Sequence, residues 1–127
     1  MSENRPFALT IAGLDPSGGA GILADIKTFE QHKVNGFAIS TANTIQTENA
    51  FHEIEWTELN FIIRSIETLF SNYKISTVKI GIVSSLNDLN QIISVVKLLS
   101  PTTKIIWDPV LKSTTKFEFM AIEDYSH

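Results

Sequence analysis

The spacing of apolar residues changes repeatedly along this chain, and the changes divide it into elements. Phe7 to Ala12 is apolar except for Thr10, the pattern of a strand buried on both faces. Ile22, Ile26 and Phe29 then recur at helical spacing, and Gly36 to Ile45 forms a second apolar run. Leu59, Ile62, Ile63, Ile66, Leu69 and Phe70 lie three and four apart, which predicts an amphipathic helix with Thr57 as its N-cap. Thr77 to Val83 predicts a buried strand. Leu86, Leu89, Ile92, Ile93, Val96 and Leu99 predict a further helix, capped by Ser85, and Lys104 to Val110 the next strand. Strands alternating with helices predict an α/β fold with a mostly parallel sheet and helices on its faces. Ligands of such sheets bind at the carboxyl ends of the strands. Those ends carry Gly13, Gln46, Gly81-Ile82 and Asp108-Pro109-Val110, so all four are expected along one edge.

Between the first strand and the first helix lies Gly13-Leu14-Asp15-Pro16-Ser17-Gly18-Gly19-Ala20-Gly21, which holds four of the six glycines. A glycine turn entering a helix brings backbone N–H groups to the positive end of the helix dipole, where an anion or a polar ligand can be held. The nucleotide-binding versions of this turn fit poorly. Gly13-x-x-x-x-Gly18 is followed by Gly19-Ala20, where a P-loop requires Lys and then Ser or Thr. Gly19-Ala20-Gly21-Ile22-Leu23-Ala24 matches the loose dinucleotide pattern but begins too far beyond the strand, and the acid nearest to serving a ribose, Glu48, is badly spaced. A turn with no ligand is the plain alternative. Asp25 sits on the rim of the apolar helix face, where a carboxylate is costly unless paired. It is either a solvated acid in the first turns or a ligand acceptor beside the loop. Asp15 is expected to bond its own loop as an Asx-turn.

Composition narrows the classes. The chain has 127 residues, enough for a single domain over 1–127, and 43% apolar content excludes bulk disorder. A net charge of −4 leaves no basic footprint for nucleic acid. Cysteine is absent, and His32, His52 and His127 show no metal-ligand spacing. There is no apolar run of membrane-spanning length and no signal-peptide core at the N-terminus, so the expected location is cytoplasmic. After Val110 no helix pattern follows to cover the last strand, and the expectation is a fold stopped part-way.

Three blocks carry a family resemblance. Ala8 to Gly13, Asp15-Pro16-Ser17-Gly18-Gly19-Ala20-Gly21-Ile22 and Ala24 to Phe29 resemble the N-terminal signature of the hydroxymethylpyrimidine/phosphomethylpyrimidine kinases of thiamine biosynthesis, in the ribokinase-like superfamily. Thr41 to Thr47, Lys79-Ile80-Gly81-Ile82 and Trp107-Asp108-Pro109-Val110 resemble later segments of that family, in the same order. The resemblance spans roughly residues 7 to 116 and implies a three-layer αβα sandwich, ribokinase-like, present here as its N-terminal, substrate-side half. It implies ATP- and Mg2+-dependent phosphorylation of 4-amino-5-hydroxymethyl-2-methylpyrimidine and then of its monophosphate, and a homodimer. Carried over by position, Asp25 and Gln46 would bond the pyrimidine edge, Gly13 would bring backbone to it, Ile82 and Val110 would sandwich the ring, and Asp108 would serve magnesium. Leu14 stands where the family has a small Ser or Thr, Ile82 where it has Met, and Thr47-Glu48 where Asn-Thr usually follows the glutamine. The family's catalytic and anion-holding loop belongs to a second half that this sequence lacks. No catalytic residue is therefore assigned here, and the isolated chain is expected to be inactive. A pyridoxine/pyridoxal kinase and a non-catalytic pyrimidine-binding product are the alternatives.

Overall fold

The computed structural model describes residues 4–109; Val110 and the segment after it, including the end of the last predicted strand, lie outside the described residues. Among the described residues, five strands form one sheet in the order β3-β2-β1-β4-β5. They are β1 (Phe7–Leu14), β2 (Asn35–Gln46), β3 (Phe51–Trp56), β4 (Ile75–Ile80) and β5 (Lys104–Trp107). The helices are α1 (Gly21–Gln31), α2 (Leu59–Asn72) and α3 (Leu86–Leu99). β1 runs parallel to β2 and β4, and β4 parallel to β5, while β3 returns antiparallel beside β2.

The central strand explains the layering. Side chains alternate across a strand, so Leu9 and Ile11 face one side of the sheet and Ala8, Thr10 and Ala12 the other. Leu9 and Ile11 join Val78 and Ile80 of β4, Ile62 and Ile66 of α2, and Leu89, Ile92 and Val96 of α3 in one buried core. Each such aliphatic side chain contributes about 1.5–3 kcal/mol on burial, and this layer carries most of the fold. Among the described residues, the other face is covered by α1 alone. There Gly36 lets the helix approach: a Cβ at this position would lie 2.5 Å from the Phe29 ring and 3.0 Å from Ile26. α1 is the lighter contact, because its residues are half-buried or exposed throughout. At the amino ends of the strands, Phe7, Phe37 and Tyr73 stack at centroid distances of 4.6–5.8 Å and close the edge opposite the glycine turn.

Three expectations change. β3 is an added antiparallel strand; the polar stretch Thr47 to Ala50 makes the turn, with Thr47 N–H donating to Ala50 O at 2.8 Å. Thr57 is not the cap of α2. Its N–H still donates to Thr41 O at 2.8 Å, so the chain remains tied to the sheet there and the cap position falls on Glu58, without a side-chain capping bond. Ser85 does cap α3, its Oγ accepting from Asp88 N–H at 3.0 Å. β4 and β5 end three residues earlier than their apolar runs, at Ile80 and Trp107.

Candidate functional site

The glycine turn is built by its own side chains. Asp15 Oδ1 accepts from Ser17 N–H at 2.9 Å and Ser17 Oγ at 2.7 Å, the expected Asx-turn, and Gly18 N–H donates to Asp15 O at 3.0 Å. Gly18 and Gly21 take φ of +74° and +67°, the left-handed region open to glycine. Gly21 also presses on the strand it left: a Cβ there would lie 2.1 Å from Gly13 O. α1 then begins at Ala20 with no side-chain cap and no acid in its first turn, so its positive end faces the turn uncompensated by those means.

All four parallel strands finish at this same edge. Gly13 is buried near the end of β1, and Ile82, just past β4, lies over it; a Cβ on Gly13 would stand 2.6 Å from Ile82 Cδ1. Thr41 Oγ1 holds the Ile82 carbonyl at 2.7 Å and fixes that loop to β2. At the end of β2, Gln46 Nε2 donates to Thr44 Oγ1 at 2.8 Å, and Thr44 Oγ1 donates to Leu14 O at 2.8 Å. Gln46 is thus connected to the residue after Gly13. Asp108 follows β5, its N–H donating to Ile80 O at 2.9 Å and its side chain exposed at the edge. Gly13, Gln46, Ile82 and Asp108 therefore share one rim, while Val110 is outside the described residues.

Asp25 lies elsewhere. Its carboxylate accepts from Lys79 Nζ at 2.7 and 2.9 Å and from Thr10 Oγ1 at 2.6 Å. Thr10 and Lys79 are register partners in the sheet, three residues before Gly13 and Ile82 respectively. At about 3.3 Å per residue that is roughly 10 Å below the rim. The pair sits between α1 and the sheet, with side-chain exposures of 26% for Lys79 and 15% for Asp25, so each charge meets the other rather than water.

Thr10, Lys79 and Thr44 lie within the blocks that carry the resemblance, but the sequence assigns them no site role. A signal existed for two of them. Thr10 and Lys79 are the polar interruptions of otherwise buried strands, and a charge in such a strand requires a partner. Among the described residues no group of three or more His, Cys, Asp or Glu could hold a metal ion by protein ligands alone, and no helix is long and apolar enough to cross a membrane. A wider open groove between β2 and α2, lined by Ala38, Trp56, Phe61 and Arg64, contains none of the rim residues.

Comparison with known proteins meets this geometry. The sequence pattern of the phosphomethylpyrimidine kinase family matches residues 15–127. A hydroxymethylpyrimidine/phosphomethylpyrimidine kinase from Aquifex aeolicus is 32% identical over 117 residues, covering 92% of this chain and 46% of that protein. The crystal structure of phosphomethylpyrimidine kinase from Clostridium difficile 630 superposes with a TM-score of 0.83 at 34% identity, over 96% of this chain and 52% of that one. A pyridoxal kinase from Staphylococcus aureus, solved with AMP-PCP and pyridoxal, matches with a TM-score of 0.73 at 27% identity, over 84% of this chain and 39% of that one. The chain thus spans about half the length, or less, of the relatives it matches. Its αβα layering, its glycine turn and the match over most of its length agree: the chain belongs to the phosphomethylpyrimidine kinase family.

Proposed function

We propose that this chain forms the substrate side of a kinase that phosphorylates 4-amino-5-hydroxymethyl-2-methylpyrimidine and its monophosphate with ATP, in the cytoplasm. The observation that carries this reading is the shared rim of Gly13, Gln46 and Ile82 beside the open start of α1. A planar heterocycle there would stack on the Ile82 side chain, which the missing Cβ of Gly13 lets settle against the end of β1, and meet the Gln46 amide with its polar edge. An amide offers both an acceptor and a donor, which suits an amino group beside a ring nitrogen. In this reading Asp25 supports the rim from beneath, through Lys79, in place of a direct bond to the ring. Val110 would complete the sandwich. Pyridoxal kinases share this half of the fold, but the family match favours the pyrimidine.

Asp108 is the rim's exposed carboxylate. Magnesium takes oxygen ligands, keeps several waters and needs few protein groups when phosphates supply the rest. A single acid at the strand edge fits that demand, and Asp108 would hold the ion directly or through water. ATP and its metal would supply the phosphoryl group and the positive charge; this chain's residues bind and orient the acceptor alcohol. A homodimer belongs to the same proposal, and light scattering showing a monomer at all concentrations would remove it. The binding test is a titration of the 15N-labelled chain with the aminopyrimidine. Shifts confined to Gly13, Gln46 and Ile82 support the reading, and shifts elsewhere, or none at millimolar ligand, refute it.

A further inference from the structure

Thr44 has no role in the reading above, yet it makes both bonds that settle the Gln46 side chain. Its hydroxyl carries a single proton. That proton is committed to Leu14 O at 2.8 Å, so Thr44 Oγ1 can only accept from a further partner. The Gln46 group beside it at 2.8 Å must then be the donor, Nε2, and not the carbonyl Oε1. The committed Thr44 proton removes the usual ambiguity of a glutamine amide, whose two ends exchange by a half-turn about the terminal torsion. Backbone, hydroxyl and amide form a relay in which each polarity follows from the one before. Gln46 is left with Oε1 and its second N–H in fixed order.

We infer that Thr44 is a positioning residue that selects the hydrogen-bond polarity of the ligand by pinning the Gln46 amide. The inference rests on the pyrimidine reading proposed above. A 4-aminopyrimidine presents an N–H donor beside a ring-nitrogen acceptor. The corresponding 4-oxo compound presents a C=O acceptor beside a ring N–H, the same shape with the polarity reversed. An amide free to turn meets either edge equally. An amide held by Thr44 meets one and leaves unpaired groups against the other, and such a mismatch is what gives a polar site its discrimination.

The test uses the 15N-labelled chain, its Thr44→Val variant, which keeps the shape and removes the hydroxyl, and Thr44→Ser, which restores it. The first readout needs no ligand. In the wild type the Gln46 side-chain amide protons, assigned by their loss in Gln46→Glu, should exchange more slowly than those of exposed Gln31. Thr44→Val should abolish that protection and Thr44→Ser should keep it. The second readout is the ratio of dissociation constants for 4-amino-5-hydroxymethyl-2-methylpyrimidine and its 4-oxo analogue. Wild type and Thr44→Ser should favour the amino compound about tenfold or more, and Thr44→Val should bind the two within about threefold. A Thr44→Val chain that keeps both the protection and the ratio overturns the inference and leaves the pyrimidine reading standing. A wild type that shows the protected amide but binds neither compound overturns the pyrimidine reading, and the selection with it.

Discussion

Two neighbouring glycines should respond to alanine with opposite sign. Gly21 has φ of +67°, and a Cβ there would lie 2.1 Å from Gly13 O. The left-handed conformation alone costs a non-glycine residue about 1–2 kcal/mol. The overlap adds to this, because the atom struck is backbone and cannot rotate away, and relieving it moves either the start of α1 or the end of β1. Gly21→Ala should therefore cost at least about 2 kcal/mol. Gly19 is exposed, its φ is not positive, and its Cβ would meet nothing closer than Ser17 Oγ at 3.6 Å, an ordinary contact. Gly19→Ala should be neutral or stabilising by up to about 1 kcal/mol, by reducing the freedom of the unfolded chain. Urea unfolding followed by circular dichroism measures both. With a slope of about 1–3 kcal/mol per molar, Gly21→Ala should lower the midpoint by roughly 1 M or more. Equal effects of the two substitutions, or a Gly21→Ala midpoint unchanged from wild type, would refute the claim that the turn's shape is set by where a Cβ can go.

Other substitutions separate structure from recognition. Lys79→Met should cost about 1–3 kcal/mol by leaving Asp25 with only Thr10, and a double-mutant cycle with Asp25→Asn should show clear coupling in urea midpoints; additive effects would mean that the pair is solvated. Ser85→Ala should cost about 1 kcal/mol by removing the cap of α3, whereas Thr57→Ala should do less, and thermal melts reporting the reverse order would return the cap of α2 to Thr57. Gly36→Leu should loosen α1 from the sheet, seen as a lower unfolding midpoint with α2 and α3 amide signals least disturbed.

Much of the fold was legible in periodicity because its central strand is buried on both faces and α2 and α3 each bury one face. β1, β2, β4 and β5 appear as apolar runs, and α2 and α3 as repeats of three and four. The shared edge of their ends follows from parallel pairing alone, and placing Gly13, Gln46, Ile82 and Asp108 there required no side-chain detail. β3 escaped because it is an edge strand with one face exposed, and Phe51-His52-Glu53-Ile54-Glu55-Trp56 holds only a short alternation. The Glu48-Asn49 turn before it was the usable clue. Thr57 looked like a cap because capping residues are recognised by type, and the bond that keeps its backbone on the sheet has no sequence signature. Asp25 was legible as a carboxylate needing a partner, but not which partner, since Lys79 is 54 residues away in the chain and meets it only when β4 pairs with β1. Thr44 was hidden for a similar reason: its importance lies in the direction of a proton.

The unequal layering on the two faces of the sheet has a consequence in time as well as in space. α2 and α3 close over a continuous aliphatic core, whereas α1 rests on small residues, the Asp25–Lys79 and Glu30–Arg5 ion pairs and the contacts of Ile26 and Phe29 with Gly36. Local opening draws on the parts with least buried surface. α1 should therefore detach and re-dock many times for each global unfolding, exchanging its amide protons faster than α2 or α3, and each excursion takes the glycine turn with it. The rim would then exist as a fluctuating half whose other half, on β4 and the core side, stays in place. Anything bound to both halves holds α1 down by mass action, so a slowing of amide exchange in α1 would report occupancy of a site whose contacts lie beyond the helix itself.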